Sequence, residues 1–236
     1  MIRAMCTVLS AFSLSLALSL APGSSVVGVA HAAPDAAEPT DIAGLMDELK
    51  KTYSGVKSLE AGFTQVQRSA VTGEIRAKGK VQVLQPRMAR WETLGEQGSL
   101  FVTDGKTMTV YTPSMKQALV YEDMGATSGG GNVDVLALLD DISKLDEQFK
   151  VSLTIEDNGK GSYRVAAVPR TPGNYKRILL TFSRKKYELQ KVVFEDQMGN
   201  ETELGFTNLR LNPSIDQARF RFTPPEGTQI IENGGL

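Results

Sequence analysis

The sequence has 236 residues and a formal net charge of −1, from 26 lysine and arginine and 27 aspartate and glutamate side chains. A near-neutral chain with mixed signs gives no reason to expect a nucleic-acid partner. Its only cysteine and only histidine are Cys6 and His31, so thiol and imidazole chemistry depend on the fate of the first segment.

The first 32 residues have the features of a secretory signal peptide. Arg3 gives a positive start, an apolar run is centred on residues 14–21, and the sequence AHA at 30–32 is a small-x-small cleavage site. The run is too short for a membrane span, and Cys6 precedes it, so it is not placed as a lipid-bearing cysteine. Residues 1–32 are predicted to be removed, with a retained N-terminal anchor as the alternative.

Removal of this segment would take away both Cys6 and His31. The mature chain would then have no disulfide, no thiol nucleophile, no histidine-dependent triad and no imidazole metal ligand. Adjacent carboxylates at Glu122-Asp123 and Asp140-Asp141 do not converge on a helix or on a strand. No catalytic residue, metal site or cofactor is therefore predicted.

The mature chain is predicted to form one domain. Residues 33–40 resemble a disordered lead-in, and residues 41–236 form the domain itself. Ile42, Leu45, Met46 and Leu49 recur at helical spacing behind a possible cap at Thr40 or Asp41, which predicts an amphipathic helix over 41–53.

Short strands follow this helix. Their predicted bounds are 59–68, 74–85, 88–94, 99–103, 106–112 and 117–121, separated by glycine and proline. The sequence LFVTDGKTMTVYTP at 100–113 contains an aspartate-glycine hairpin signal between two strands. Both strands carry apolar groups in adjacent positions, so each face of this hairpin needs a cover.

A glycine-rich loop and a second apolar stripe come next. Residues 125–132 contain Gly129-Gly130-Gly131, which lacks the spacing of a phosphate loop and is typical of a lid or hinge. Residues 133–149, including Leu136 and Leu139, are predicted to form a second helix, as core or as a movable lid.

The remaining chain again predicts strands, over 151–155, 163–168, 176–182, 189–195, 201–209 and 219–222. About a dozen strands and two or three helices favour a large curved antiparallel sheet with helices against one side. Arg184-Lys185-Lys186 falls at a predicted hairpin turn and is interpreted as a solvated turn, with a membrane or an acidic partner as the alternative. Trp91 is either a core anchor or one wall of an apolar binding space.

Several motifs, in order, resemble a known family. They are LEAGFTQ at 59–65, Gly79, Pro86 with Arg90-Trp91, LFVTDGK at 100–106 with Tyr111, Pro113 and Gln117-Ala118, and ARFRFTPPEG at 218–227. On these residues the mature chain is identified as a member of the LolA family of periplasmic lipoprotein carriers.

This resemblance implies a mainly β (α+β) fold, an unclosed antiparallel β-barrel of about eleven or twelve strands with two or three helices forming a lid. It implies a non-catalytic, monomeric periplasmic chaperone that carries lipoproteins by their acyl chains. Its partners would be an ATP-driven inner-membrane release complex and an outer-membrane lipoprotein receptor. The second apolar face of the hairpin would line the acyl-chain cavity.

Candidate site residues follow from the resemblance and the strand pattern. The cavity wall is predicted to comprise Trp91, Leu100, Val102, Met108, Val110, Leu180, Phe182, Val193 and Phe206. The lid would contribute Leu136 and Leu139, on a hinge at Gly129 and Gly130. The family often has an arginine where Gln85 stands, and an aromatic residue where Ala89 stands. Either Arg87 or Arg90 therefore holds the lid closed, or the lid is controlled differently. A one-residue slip in strand phase would exchange the two faces.

Three other functions stay open at this point. A sensory or regulatory domain of the same fold and a carrier of glycolipid or phospholipid both fit the sequence pattern. An enzyme is disfavoured by the missing histidine and cysteine.

Overall fold

The computed structural model of the protein describes residues 38–96, 98–122, 138–139, 142–156 and 161–233. These residues include twelve strands, which are β1 (Ser58–Ser69), β2 (Gly73–Leu84), β3 (Met88–Leu94), β4 (Ser99–Asp104), β5 (Thr107–Thr112), β6 (Gln117–Glu122), β7 (Phe149–Glu156), β8 (Ser162–Pro169), β9 (Tyr175–Ser183), β10 (Leu189–Asp196), β11 (Glu201–Leu211) and β12 (Gln229–Asn233).

The strands form one sheet, in the order β12-β6-β5-β4-β3-β2-β1-β11-β10-β9-β8-β7. Neighbouring strands are antiparallel except β12 and β6, and β7 and β12 are the two edges of the described sheet. The predicted unclosed, mainly antiparallel architecture is confirmed.

The first helix, α1, spans Ile42–Tyr53, as the apolar spacing predicts. Asp41 caps it, since its Oδ1 accepts a 2.8 Å hydrogen bond from the Gly44 N–H. Lys50 and Lys51 lie in the last turn, where positive charge complements the helix dipole. Its apolar stripe is buried in the core.

The second helical region is shorter than predicted. A 3₁₀ turn covers Ile142–Lys144, a short helix α2 covers Leu145–Gln148, and Phe149 begins strand β7. The prediction of helix through residue 149 is therefore wrong at that end, because Phe149 belongs to a strand whose side chains at 149, 151 and 153 pack on the core. The glycine-rich loop, Gly129, Gly130, Leu136 and the pair Asp140-Asp141 lie outside the described residues.

Strand alternation divides the side chains of the sheet between two faces. Trp91 stands opposite Val81 and Phe101, and Phe101 stands opposite Val110, so these residues share one face. The same face packs with the buried stripe of α1 in one apolar cluster, and we call it the helix face. The opposite side is the outer face.

The C-terminal segment crosses the outer face. Residues 213–228, called the strap, include a 3₁₀ turn at Gln217–Phe220 that packs on β3 and β4. Phe220 is only 1% exposed, and the ring of Phe222 lies 5.3 Å from that of Tyr111. The predicted strand at 219–222 is therefore wrong. Asp216 starts a turn there by accepting a hydrogen bond from the Ala218 N–H.

A final strand follows the strap. The strand β12 (Gln229–Asn233) lies parallel to β6, with Ile231 opposite Leu119. This strand was not among those predicted from the sequence.

A polar network fastens the strap to the outer face. Gln82 Nε2 donates a 2.7 Å bond to Glu60, and Arg219 Nε donates a 2.9 Å bond to Gln82 Oε1. The Gln82 and Arg210 hydrogen bonds to Glu60 lower the pKa of its carboxyl group from the ordinary value. The strap thus combines one buried aromatic anchor with a chain of polar contacts.

Phe220→Ala is expected to destabilise the protein by about 3 kcal/mol, because it empties the aromatic anchor of the strap. Urea denaturation at neutral pH measures the change in the free energy of unfolding. Phe222→Ala is the matched control, since the Phe222 side chain is only half-buried and its loss should cost clearly less. Equal losses for the two variants would show that Phe220 does not anchor the strap.

Stability is expected to fall as the solution is acidified. Glu60, Asp104, Glu195, Asp196 and Glu203 all have lowered pKa values, each chiefly through hydrogen bonds to the carboxylate. On acidification, these carboxylates bind protons at a higher pH in the unfolded chain than in the folded protein. The stabilisation is therefore present above the ordinary carboxyl pKa of about 4 and is lost as pH falls below it.

The urea midpoint at about pH 7 and at about pH 4 measures this loss. Glu60→Gln should lower the midpoint at neutral pH and show a smaller drop on acidification than wild type. The control is Glu226→Gln, an exposed strap position without a hydrogen bond among the described residues. If acidification lowers the urea midpoint of Glu60→Gln as much as that of wild type, Glu60 does not contribute to the loss of stability in acid.

Candidate functional site

The centre of the helix face is an aromatic pair. The rings of Phe63 and Trp91 lie 4.2 Å apart, although their strands are separated by β2. Gly79 lies between them, and a Cβ atom there would stand 1.9 Å from the Glu92 carbonyl oxygen and 2.7 Å from the Phe63 ring. Only glycine leaves room for Phe63 to cross β2 and reach Trp91.

Six of the nine predicted wall residues lie on the helix face. Trp91, Leu180 and Phe182 are at most 1% exposed, and the others are Met108, Val110 and Phe206. Their shared face follows from the strand pairing, which places Leu180 opposite Val192 and Phe206 opposite Phe63. Contact of these six residues with acyl chains stays a prediction.

Leu100, Val102 and Val193 lie on the outer face, so the prediction that all nine residues share one wall is wrong. Leu100 stands opposite Glu92 and Val102 opposite Arg90, whereas Phe101 takes the inward position between them. Val193 stands opposite Glu203 on the same outer side. The second apolar face of the 100–113 hairpin is therefore covered by the strap and not by the helices.

The helix face includes residues that the sequence analysis did not select. Phe63, Phe101, Val192 and Phe194 are all at most 5% exposed and belong to its cluster. The sequence could have placed Phe63 on this face, because Phe63 alternates with Ala61 and Leu59 along β1. It could not have placed Phe101, since Phe101 is flanked by the apolar residues Leu100 and Val102 and shows no alternation.

The two arginines predicted to hold the lid have different positions. Arg90 points to the outer face, where it donates to the Arg219 carbonyl oxygen at 3.4 Å and to Glu92 at 3.3 Å. These contacts do not support its predicted lid role. Arg87 lies exposed in the β2–β3 turn with a left-handed φ of 62°, beside Gly105. A lid contact of Arg87 stays a prediction.

Helical segments cover the helix face. We call α1 together with residues 138–139 and 142–148 the helical cover. Leu45 and Leu49 of α1 are fully buried, as are Ile142 and Leu145 to within 2%, and Leu139 is 4% exposed. A 2.8 Å ion pair between Lys50 and Asp146 joins the two parts of the cover at the surface.

Tyr53 ties α1 to the sheet. Its hydroxyl donates to the Tyr187 carbonyl oxygen at 3.1 Å and accepts from the Leu189 N–H at 2.9 Å. Burial raises the pKa of Tyr53 well above its ordinary value, so the side chain stays neutral. The β9–β10 turn, where Arg184 pairs with Glu38 and lies over the Tyr163 ring, is the hairpin turn that the sequence predicts.

A cavity of about 180 Å³ lies where the helical cover meets the β8–β9 loop. Leu138, Leu145 and Phe149 line one side, and Tyr175 and Ile178 line the other. Ile178 and Leu145 also belong to the helix-face cluster, so the cavity adjoins the apolar core.

The polar chemistry of the helix face is sparse. The Trp91 Nε1 and Tyr163 hydroxyl groups are buried and have no hydrogen-bond partner among the described residues. In that same part of the chain, no three histidine, cysteine, aspartate or glutamate side chains are grouped to hold a metal. No helix within the described ranges is long and apolar enough to cross a membrane.

Comparison with known proteins gives a family. The family model described as "Outer membrane lipoprotein carrier protein LolA" matches residues 54–223. A protein of Neisseria meningitidis serogroup C, named outer-membrane lipoprotein carrier protein, is 26% identical over 194 residues, covering 81% of this chain and 88% of its own. Proteins of the same name from Chromobacterium violaceum and Xanthomonas axonopodis pv. citri are each 29% identical. They cover 80% and 81% of this chain, and 88% and 90% of their own.

Tyr53→Phe is expected to lower the free energy of unfolding by about 1–3 kcal/mol, because the buried Leu189 N–H loses its acceptor. Chemical denaturation gives the value. The matched control is Tyr111→Phe, whose hydroxyl has no hydrogen bond among the described residues and whose loss should be near neutral. An equally small effect for both variants would show that Tyr53 does not fasten α1 to β10.

Proposed function

This chain belongs to the LolA family of outer membrane lipoprotein carrier proteins, and we propose that it binds the acyl chains of lipoproteins against the helix face. The observation that carries the proposal is the continuous apolar helix face, centred on the Phe63–Trp91 pair and closed by the helical cover. The curated relatives that share most of the chain are named as lipoprotein carriers, which supports this cargo.

The physical need for such a carrier lies in the acyl chains. Each methylene group buried from water gains about 0.8 kcal/mol, so a multiply acylated protein stays in its membrane unless another apolar surface replaces the bilayer. The helix face offers that surface. No covalent step is required, and we infer that the protein acts as a chaperone without catalysis or cofactor.

Loading requires movement of the helical cover. Leu180 and Phe182 are fully buried, so acyl chains reach them only after cover side chains leave. The Lys50–Asp146 ion pair is largely exposed, and such pairs contribute only about 0–1 kcal/mol. Apolar contacts with cargo then replace apolar contacts with the cover, which keeps the exchange reversible.

The cavity beside the β8–β9 loop is where we expect this exchange to begin. It adjoins Leu138 and Leu145 of the cover and Ile178 of the sheet. Entry there would let an acyl chain displace residues 138–148 progressively, starting at their edge.

We further propose that transport takes place in the periplasm after signal-peptide removal, with the protein as a monomer. An ATP-driven inner-membrane complex would supply the lipoprotein, and an outer-membrane receptor would accept it. Arg87 stands as the candidate contact that holds the closed state, and Leu136, Leu139, Gly129 and Gly130 as lid and hinge residues.

Val110→Gln is expected to reduce lipoprotein binding about tenfold, because Val110 is half-buried against the helix-face cluster and an amide covered there by acyl chains, without a partner, costs about 1–3 kcal/mol. The assay mixes purified protein with spheroplasts that hold newly made lipoproteins, and measures what leaves the membrane bound to it. The matched control is Val193→Gln, a half-buried valine of the outer face, which should retain wild-type release.

Circular dichroism and urea midpoints verify that both variants are folded. Equal release by the two variants would contradict binding at the helix face. If the protein leaves the membrane with glycolipid or phospholipid bound and without lipoprotein, the proposed lipoprotein cargo is wrong and the protein carries that lipid. Absence of any bound cargo from active membranes would overturn the carrier function and favour a regulatory role.

A further inference from the structure

A second concave surface lies on the outer face, beneath the strap. This strap groove has a volume of about 400 Å³ and runs between residues 218–225 and strands β3–β5. It is lined by Arg90, Arg219 and Arg221 together with Leu100, Tyr111 and Phe222. Because strand alternation separates it from the helix face, it is distinct from the proposed acyl-chain site.

The groove has an excess of positive charge. Its described lining contains three arginines and no carboxylate. The Arg221 side chain is exposed, and its guanidinium group forms no ion pair or hydrogen bond within the described part of the chain. Each guanidinium group has five N–H donors, and those of Arg90 and Arg219 are only partly used by Glu92, Gln82 and one carbonyl group.

The charge continues into a neighbouring polar cavity. This space of about 210 Å³ shares Arg90 and Arg219 with the groove and adds Lys80. Glu60 and Glu92 also line it, and Glu60 is already bound by Gln82 and Arg210. Glu92 is bound by Arg90. Both carboxylates of this cavity therefore already have partners, and neither lines the strap groove.

The other part of the groove is an apolar platform. The Tyr111 and Phe222 rings lie 5.3 Å apart with planes inclined by 42°, and both side chains are half-buried. Leu100 lies beside them. Guanidinium groups next to aromatic rings favour a ligand that presents carboxylates and an apolar side chain along one extended chain.

We propose that the strap groove binds an acidic, extended segment of a partner protein, with carboxylates at the arginines and an apolar side chain on the Tyr111–Phe222 platform. Charge complementarity selects this partner. Occupancy of the outer face leaves the helix face free, so the partner and an acyl cargo can be bound together. The surface thus adds a docking function to the proposed transport function and does not depend on it.

The test measures binding of a fluorescein-labelled peptide, Asp-Glu-Phe-Asp-Glu, by fluorescence anisotropy in low salt. The uncharged peptide Asn-Gln-Phe-Asn-Gln is the ligand control. The acidic peptide should bind and the uncharged one should not. Arg221→Glu should weaken binding at least about tenfold, because it places a like charge against the peptide.

Lys185→Glu is the matched protein control, since Lys185 is exposed in the β9–β10 turn and its replacement changes the net charge equally. This variant should bind as wild type does. Equal weakening by both variants, equal binding of both peptides, or no binding would overturn the proposal. Binding of inorganic phosphate or anionic phospholipid vesicles that depends on Arg221, without peptide binding, would assign the groove to a different ligand and also overturn it.

Discussion

Burial of both faces of one sheet is the constraint on which the rest of the structure depends. Strands β3, β4 and β5 carry apolar side chains in adjacent positions, and adjacent positions on a strand point to opposite sides. Phe101 faces the helices, whereas Leu100 and Val102 face away from them. The fold therefore needs two covers, the helical cover on one side and the strap on the other.

The two covers differ in how they are held. The strap contributes the buried Phe220 and bonds through Arg219 to Gln82, which in turn binds Glu60. The helical cover relies on apolar contacts, the Tyr53 hydroxyl and an exposed ion pair. Apolar contacts are non-directional, so another apolar surface can replace them. This difference supports the proposed reversible exchange with acyl chains at the helix face, while directional polar contacts hold the strap on the outer face.

Local sequence signals predicted much of this fold. The strand at 88–94, the hairpin at Asp104-Gly105 and the helix α1 all depend on neighbouring residues, and the structure has each of them.

The phase of β4 could not be predicted, because three consecutive apolar residues carry no alternation. The strand β12 was missed since its parallel pairing with β6 is non-local. Phe220 and Phe222 alternate as in a strand, yet the Asp216 cap gives a turn. The same limits explain why the predicted wall contained Leu100, Val102 and Val193.

Trp91 is the only tryptophan of the chain, which gives a direct test of acyl-chain binding at the helix face. The measurement is a titration of the protein with a triacylated lipopeptide whose acyl chains carry bromine, a short-range quencher of tryptophan fluorescence. Binding at the helix face should give saturable, stoichiometric quenching, with no quenching by the same peptide without its acyl chains. A lipopeptide that co-purifies with the protein and leaves Trp91 fluorescence unchanged would place the acyl chains elsewhere and contradict binding at the helix face.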